Sequence, residues 1–284
     1  MSVLEGPALN SDPQSSSVPP KLNATVDRVV RCYLATIDAE APGLIEGFYL
    51  VGSVALGDFR PHESDIDFVA VMAARPDPAM IDALQRMHRH IQNRYPRPYF
   101  DGVYVTWEDL GRDPRLCVRA PTAHEGRLEL GDFEPNPVTW QTLAHHEVVI
   151  RGPAPSELAV WHDPDVLAAR TTRYLHSYWR PWRRRSSHPF SVAGLKALGS
   201  WAPAWGVLGV SRLHYTLATG EITSKEGAGL YALDTFPARW HTVIAECLRI
   251  RRASEGGSLY GTRRTRRDDA AAFIEMVIED AHRL

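Results

Sequence analysis

Asp65-Ile66-Asp67 runs directly into an apolar stretch at residues 68–72 (Phe-Val-Ala-Val-Met), and no other feature constrains the fold of this chain as strongly. Side chains of a strand alternate between its two faces, so Asp65 and Asp67 should share one face while Ile66 enters an apolar layer. Two carboxylates this close raise each other's pKa unless a cation lies between them. The pair therefore predicts a site for a hard divalent cation such as Mg²⁺.

A second short motif lies just upstream, where residues 49–51 (Tyr-Leu-Val) predict a strand that ends at Gly52 and Ser53. A tight turn into a helix N-terminus would offer backbone N–H groups and one hydroxyl to an anion. Alone, an Asp-x-Asp motif is more often a turn or an exposed strand edge, and Gly-Ser occurs in any loop. Together, an anion cradle and a carboxylate pair on neighbouring strands predict a site for a nucleoside triphosphate.

This combination resembles the polymerase-beta-like nucleotidyltransferase superfamily, whose members carry a third acidic residue on a later strand. Residues 99–107 (Tyr-Phe-Asp-Gly-Val-Tyr-Val-Thr-Trp) predict such a strand, and Asp101 begins its otherwise apolar face. A carboxylate at the rim of the sheet, beside the metal-binding pair, is a candidate general base or third metal ligand. The alternative is an Asp that only caps the strand before Gly102.

Composition excludes several other classes of protein. The 284 residues carry a formal net charge of −2, with 23% charged and 44% hydrophobic residues, and lack the basic surplus of a general nucleic-acid binder. No apolar run is long enough to span a membrane, and the chain does not open on a signal-peptide pattern. The three cysteines have no paired spacing, which is typical of reduced thiols. We expect a cytoplasmic monomer that binds neither membranes nor nucleic acids.

The secondary-structure pattern predicts an α+β fold in two domains. Residues 1–21 are rich in Pro and Ser and are expected to form a disordered tail. Strands and helices alternate over residues 22–153, which predicts the nucleotidyltransferase domain with a mixed β-sheet. Residues 154–284 predict an all-helical bundle, with helices at 163–182, 192–199, 204–219, 225–233, 238–252 and 268–282.

The helical half carries a second resemblance. Residues 211–225 (Ser-Arg-Leu-His-Tyr-Thr-Leu-Ala-Thr-Gly-Glu-Ile-Thr-Ser-Lys) are similar to the helical-domain signature of the spectinomycin/streptomycin O-adenylyltransferases, and the likeness covers roughly residues 25–280. The resemblance implies that the first domain holds Mg²⁺ and ATP and that the helical domain, residues 154–284, closes over substrate and ATP. It also implies transfer of AMP to a hydroxyl of an aminocyclitol antibiotic, and hence a role in antibiotic resistance.

The resemblance also implies roles for single residues. Asp65 and Asp67 would bind the metal, and Asp101 would deprotonate the accepting hydroxyl. Arg212 and Lys225 would contact the triphosphate, which agrees with catalysis of nucleotidyl transfer by charge neutralisation. Without the resemblance, the default interpretation of these two cations is solvated helix surface.

The sequence departs from the streptomycin-modifying members in the helix before Arg212. They carry a Trp and two acidic residues where this chain has Ala193, Leu198 and Ala202, and residues 166–220 contain no Asp or Glu at all. A surface that binds a polycation needs carboxylates, so we expect a weakly charged acceptor such as spectinomycin rather than streptomycin. Acids introduced at Leu198 and Ala202 should then improve the use of streptomycin.

Arginines and tryptophans replace the missing acids and leave alternatives open. The tryptophans between residues 179 and 205 pack in a core or form a stacking wall for a ring-bearing ligand. The arginine runs 183–185 and 263–267 are expected in solvated loops, although they also suggest a protein or nucleic-acid acceptor. A further alternative is a non-catalytic nucleotide-binding or antitoxin-like module.

Overall fold

The computed structural model describes residues 22–117, 120–130, 136–146, 148–188 and 191–284. Within these residues, six strands form one sheet: β1 (Gly47–Leu50), β2 (Ile66–Met72), β3 (Phe100–Thr106), β4 (Pro121–His124), β5 (Arg127–Leu130) and β6 (Val149–Arg151). The strand order is β5-β4-β3-β2-β1-β6; β2 and β3 are parallel, whereas the other neighbours are antiparallel. The predicted mixed sheet is confirmed.

Helices accompany the sheet in the first half: α1 (Ala24–Glu40), α2 (Gly52–Ala55), α3 (Pro78–Arg94), α4 (Trp107–Leu110) and α5 (Pro137–His145). α1 begins where the Asn23 side chain accepts the N–H of Thr25, and α3 begins where Asp77 accepts the N–H of Met80. Such caps satisfy N–H groups that have no partner inside the helix. The strand predicted to reach residue 107 ends at Thr106, because Thr106 and Asp109 form a capping box that starts α4.

Alternation along β2 divides its side chains between two apolar layers. Ile66 and Phe68 pack in one layer, with the apolar faces of α1 and α3, and Ile66 is fully buried as predicted. Val69 and Val71 pack in the opposite layer, with Trp140 of α5. Since Asp67 alternates with Phe68, it faces the α5 side of the sheet.

Seven helices form the second half: α6 (Pro164–Tyr174), α7 (Arg180–Ser187), α8 (Val192–Lys196), α9 (Trp201–Thr219), α10 (Lys225–Thr235), α11 (His241–Arg251) and α12 (Arg263–Asp280), counted over its described residues. Apolar side chains of α9, α11 and α12 build its core, which confirms the predicted helical half. No helix in the described part of the chain combines the length and apolar character needed to cross a membrane. The domain division at residue 153 stays a prediction, and the predicted disordered tail, 1–21, lies outside the described residues.

Two expectations for the helical half were wrong. The single helix expected at 163–182 is interrupted by a π-helical turn at Leu175–Trp179, just before Pro181, which has no N–H to continue the hydrogen-bond ladder. Neither arginine run lies in a loop: residues 183–185 belong to α7, and residues 263–267 begin α12, where the Thr262 side chain accepts the N–H of Thr265. Arg266 and Arg267 are buried and pair with Glu246 and Asp268.

Candidate active site

A cavity of about 320 Å³ opens between the sheet and the helical half. This volume is typical of small-molecule sites, which run from roughly 300 to 1,000 Å³. Six of the seven residues predicted for the site line it together: Gly52, Ser53, Asp65, Asp67, Arg212 and Lys225. The seventh, Asp101, lies outside this lining.

The acidic wall of the cavity depends on the close approach of Gly52 to Asp67. β1 and β2 pair Leu50 with Phe68, and the N–H of Val51 donates to the carbonyl of Asp67 over 2.9 Å. Gly52 then adopts a φ of +57°, and a Cβ at this position would lie 2.1 Å from Oδ2 of Asp67. Only glycine satisfies both the left-handed backbone and the space beside the carboxylate.

Burial and mutual repulsion make the carboxylates poor anions in the absence of a cation. Burial, together with the charges of Asp65 and Asp101, raises the pKa of Asp67 to about 7. Burial also raises the pKa of Asp65, against the opposing influence of Arg97. A bound cation favours the charged form of such a pair, so the acidic wall suits a positively charged ligand.

The basic wall comes from the helical half. Arg212, on α9, donates from Nε to the carbonyl of Thr223 over 3.1 Å, which orients its guanidinium group. Lys225 is the first residue of α10, and its Nζ lies 4.6 Å from the ring centroid of Trp205. Burial, with the neighbouring charges of Arg212 and Arg251, lowers the pKa of Lys225 to about 8. Crowded, half-buried cations of this kind suit a polyanion.

The acidic wall also fits a metal ion in its donor chemistry. Asp65 and Asp67 supply carboxylate oxygens, which Mg²⁺ prefers, and the buried Oγ of Ser53 has no hydrogen-bond partner. Within the described residues, however, no group of three or more His, Cys, Asp or Glu side chains is arranged to hold a metal. The pair thus fits a cation that keeps open positions for phosphate oxygens, and a third ligand from Asp101 remains a prediction.

Asp101 lies beside the pair and is held by the β4–β5 hairpin. The parallel register places it opposite Asp67 across β2 and β3. Its Oδ1 accepts the N–H of Glu125 over 2.9 Å, and its Oδ2 lies 3.3 Å from Nδ1 of His124. Burial and the charge of Asp65 raise its pKa to about 6. The hairpin turn thus orients the Asp101 carboxylate, and both its role as general base and the alternative of a purely structural Asp stay predictions.

Asp58 and Arg251 are charged residues of the lining that were not predicted from the sequence. Asp58 follows α2, and Arg251 ends α11, 193 residues later; the two form an ion pair. No local pattern connects them, because their contact arises only when the two halves pack together. Trp205 lines the cavity too, so it is one of the stacking candidates, whereas Trp179 is buried in the helical core.

The expectation that acids at Leu198 and Ala202 would create a streptomycin site is not supported by the packing. Ala202 is buried within α9, and neither residue lines the cavity. An acid at residue 202 would be a buried charge in an apolar setting, which is costly without a partner. Part of the positive charge of this region is already compensated from another helix, since Arg183 pairs with Glu275 of α12.

Comparisons with known proteins bear on both halves of the chain. The family model of the nucleotidyltransferase domain matches residues 36–96, and that of the aminoglycoside adenylyltransferase C-terminal domain matches residues 186–278. Among solved structures, spectinomycin adenyltransferase AAD(9) from Enterococcus faecialis, crystallised with ATP and spectinomycin, has a TM-score of 0.60 with this chain. That likeness covers 88% of this chain and 99% of the other at 12% identity, and it shows a shared fold. No curated protein sequence matches the chain significantly.

Proposed function

Because this chain is a nucleotidyltransferase of the aminoglycoside adenylyltransferase family, we propose that it transfers AMP from ATP to a hydroxyl of a small molecule. The observation that carries the proposal is one cavity with two opposed walls of charge. Asp67, with its raised pKa, faces a space shared with Lys225, whose pKa is lowered. A bound metal ion would supply positive charge to the acidic wall, and the triphosphate would supply negative charge to the basic wall.

The roles of the wall residues follow from their charge and position. Asp65 and Asp67 would hold Mg²⁺, which when bound supplies Lewis-acid stabilisation of phosphate oxygens. Ser53, with its unpartnered hydroxyl, would donate to a phosphate oxygen beside Gly52. Arg212 and Lys225 would neutralise the charge that develops on the leaving pyrophosphate.

Asp101 is the proposed proton acceptor. It would take the proton of the acceptor hydroxyl as that oxygen attacks the α-phosphate in line with the leaving pyrophosphate. The hairpin supports this role, because the N–H of Glu125 holds the Asp101 carboxylate at the rim of the sheet. Its position outside the cavity lining agrees with an acceptor that approaches from the side of β3.

For the acceptor itself, we propose a weakly charged aminocyclitol such as spectinomycin in preference to streptomycin. On the helical side, the charged residues of the cavity lining are Arg212, Lys225 and Arg251, which are all cations. On the sheet side, Asp58 is already paired with Arg251 and Asp65 and Asp67 are the proposed metal ligands, which leaves Glu63 as the remaining acidic residue of the lining. A highly cationic drug would therefore meet like charge on one wall and compete with Mg²⁺ on the other.

The test is pyrophosphate release by the purified protein with ATP and Mg²⁺, with spectinomycin and streptomycin as separate acceptors. We expect release with spectinomycin and its loss in Asp65→Asn and Asp67→Asn, which remove a charge with little change of shape. Asp27→Asn is the matched control, because Asp27 pairs with Arg31 on the exposed surface of α1, away from the cavity lining. Undiminished release by either site variant, or equal use of streptomycin, would contradict the corresponding part of the proposal.

A further inference from the structure

Asp58 and Arg251 form an ion pair across the two halves of the protein, at the edge of the cavity. Their side chains are 7% and 6% exposed, so the pair is nearly removed from solvent. Arg251 donates from Nε to Oδ2 of Asp58 over 3.1 Å. Its Nη2 donates to the same Oδ2 and also to the backbone carbonyl of Asp58, the latter over 3.1 Å. Buried ion pairs contribute little net stability but define geometry, since removing one partner leaves a charge uncompensated.

Asp58 also connects the two walls of the site by a short path. Its backbone N–H donates to the carbonyl of Ser53 over 2.9 Å. Its Oδ2 accepts the backbone N–H of Glu226 over 3.3 Å, at the start of α10. Glu226 directly follows Lys225, so two hydrogen bonds through one residue join the Gly52–Ser53 turn to the lysine of the basic wall.

A second group of charges surrounds this connection. Arg60 donates to Asp58 over 3.1 Å and to Glu226 over 3.2 Å, and Arg252 also pairs with Glu226. These contacts are more exposed than the Asp58–Arg251 pair, with Arg60 at 30% and Arg252 at 42%. Exposed ion pairs contribute little to stability individually. The buried carboxylate of Asp58 is therefore the group that fixes the start of α10 relative to the Gly52–Ser53 turn.

We propose that Asp58 is a positioning residue for nucleotidyl transfer, which holds Lys225 in register with the Gly52–Ser53 turn by binding Arg251 and the N-terminus of α10. The inference rests on the proposed function, since it assigns a task to Lys225 in that reaction. Asp58 also neutralises Arg251, which lines the same cavity. Loss of the Asp58 charge should therefore affect the rate of transfer more than the binding of ATP, because Lys225 loses its register with the Gly52–Ser53 turn while the cavity keeps all of its cations.

The test compares Asp58→Asn with the wild-type protein in three measurements. With spectinomycin and ATP, we expect kcat for pyrophosphate release to fall at least tenfold. The Kd for ATP with Mg²⁺, from calorimetry, should change by less than threefold. Hydrogen exchange should increase selectively at the N-terminus of α10, because the N–H of Glu226 loses its charged acceptor.

Asp38→Asn is the matched control. Asp38 also binds an arginine with two hydrogen bonds, from Nη1 and Nη2 of Arg151 over 2.8 and 2.6 Å, but neither residue lines the cavity. We expect it to leave kcat and exchange in α10 unchanged. Should Asp58→Asn fail to fold, Arg251→Lys keeps the charge and removes the two-nitrogen contact, and should give the same pattern with a smaller drop in kcat.

Unchanged kcat in Asp58→Asn, or an ATP Kd that rises in proportion to the loss of kcat, would overturn the positioning role. Exchange that increases uniformly over the helical half would also overturn it, because that pattern reports general destabilisation. If the wild-type protein releases no pyrophosphate with any acceptor, the proposed function fails. The exchange measurement contains no acceptor, so unchanged protection of α10 in Asp58→Asn would still refute the connection itself.

Discussion

Replacing Gly52 with alanine tests whether activity depends on the position of the Asp67 carboxylate beside the β1–α2 turn. Two costs are expected. The backbone at φ +57° costs an L-residue about 1–2 kcal/mol. The new Cβ would also lie 2.1 Å from Oδ2 of Asp67, against an ordinary van der Waals separation of roughly 3.5 Å, so the carboxylate must move by about 1.4 Å. A displacement of that size at a reacting centre costs on the order of 100-fold in rate.

Gly57→Ala separates these two costs. Gly57 has a φ of +66°, similar to that of Gly52, but a Cβ there would meet nothing within 4 Å. Thermal unfolding should show a loss of about 1–2 kcal/mol in both variants, because both force alanine into the left-handed region. Pyrophosphate release at saturating ATP should fall about 100-fold in Gly52→Ala alone. Turnover in Gly52→Ala within threefold of that in Gly57→Ala would refute the reasoning.

Three further predictions concern separate parts of the molecule. Glu246 is fully buried, and burial by itself would raise its pKa. Hydrogen bonds from Arg249, Ser258, Leu259 and Arg266 outweigh burial and lower the pKa to about 2. The ionised carboxylate should therefore contribute roughly 3 kcal/mol to the free energy of unfolding above about pH 5, and this contribution should be lost as the pH falls towards 2. Urea unfolding should show that Glu246→Gln is much less stable than the wild type at pH 7, and that the difference in free energy of unfolding is smaller at pH 3. An equal difference at the two pH values would contradict this role of Glu246. Asp101→Asn should keep ATP binding in calorimetry and lose transfer, and a normal transfer rate would mean that another group accepts the proton. Trp205→Ala removes the ring beside Lys225 Nζ and should weaken ATP binding about threefold to fivefold. Trp107→Ala, at a residue that donates to Glu46 and does not line the cavity, should not weaken it, and equal effects would refute the cation–π contribution.

The acidic wall is predictable from the sequence because it depends on local periodicity. Alternation along two strands is enough to place Asp65 and Asp67 on one face, and the parallel register then brings Asp101 opposite Asp67. Gly52 follows from the same logic, since a glycine after a strand indicates a sharp turn. What the local pattern does not contain is the orientation of Asp101 towards the hairpin, which depends on Glu125 in a later turn.

The remaining features depend on contacts between distant parts of the chain. The start of α12 was missed because a run of arginines is typical of exposed loops, whereas Arg266 is buried against Glu246, 20 residues earlier. Likewise, Asp58 resembles an ordinary turn residue until the helical half brings Arg251 to it. Tertiary pairing of charges overrides local preference in both cases, and it is not visible in a single sequence.

The central claim is that this cavity adenylylates a small-molecule hydroxyl, and the most direct measurement is the mass of the drug after incubation with the protein, ATP and Mg²⁺. We predict that spectinomycin gains one adenylyl group per pyrophosphate released, and that Asp67→Asn yields unmodified drug. Unmodified spectinomycin with the wild-type protein, together with an AMP label on protein or nucleic acid from an added cell lysate, would contradict the claim and identify a macromolecule as the acceptor.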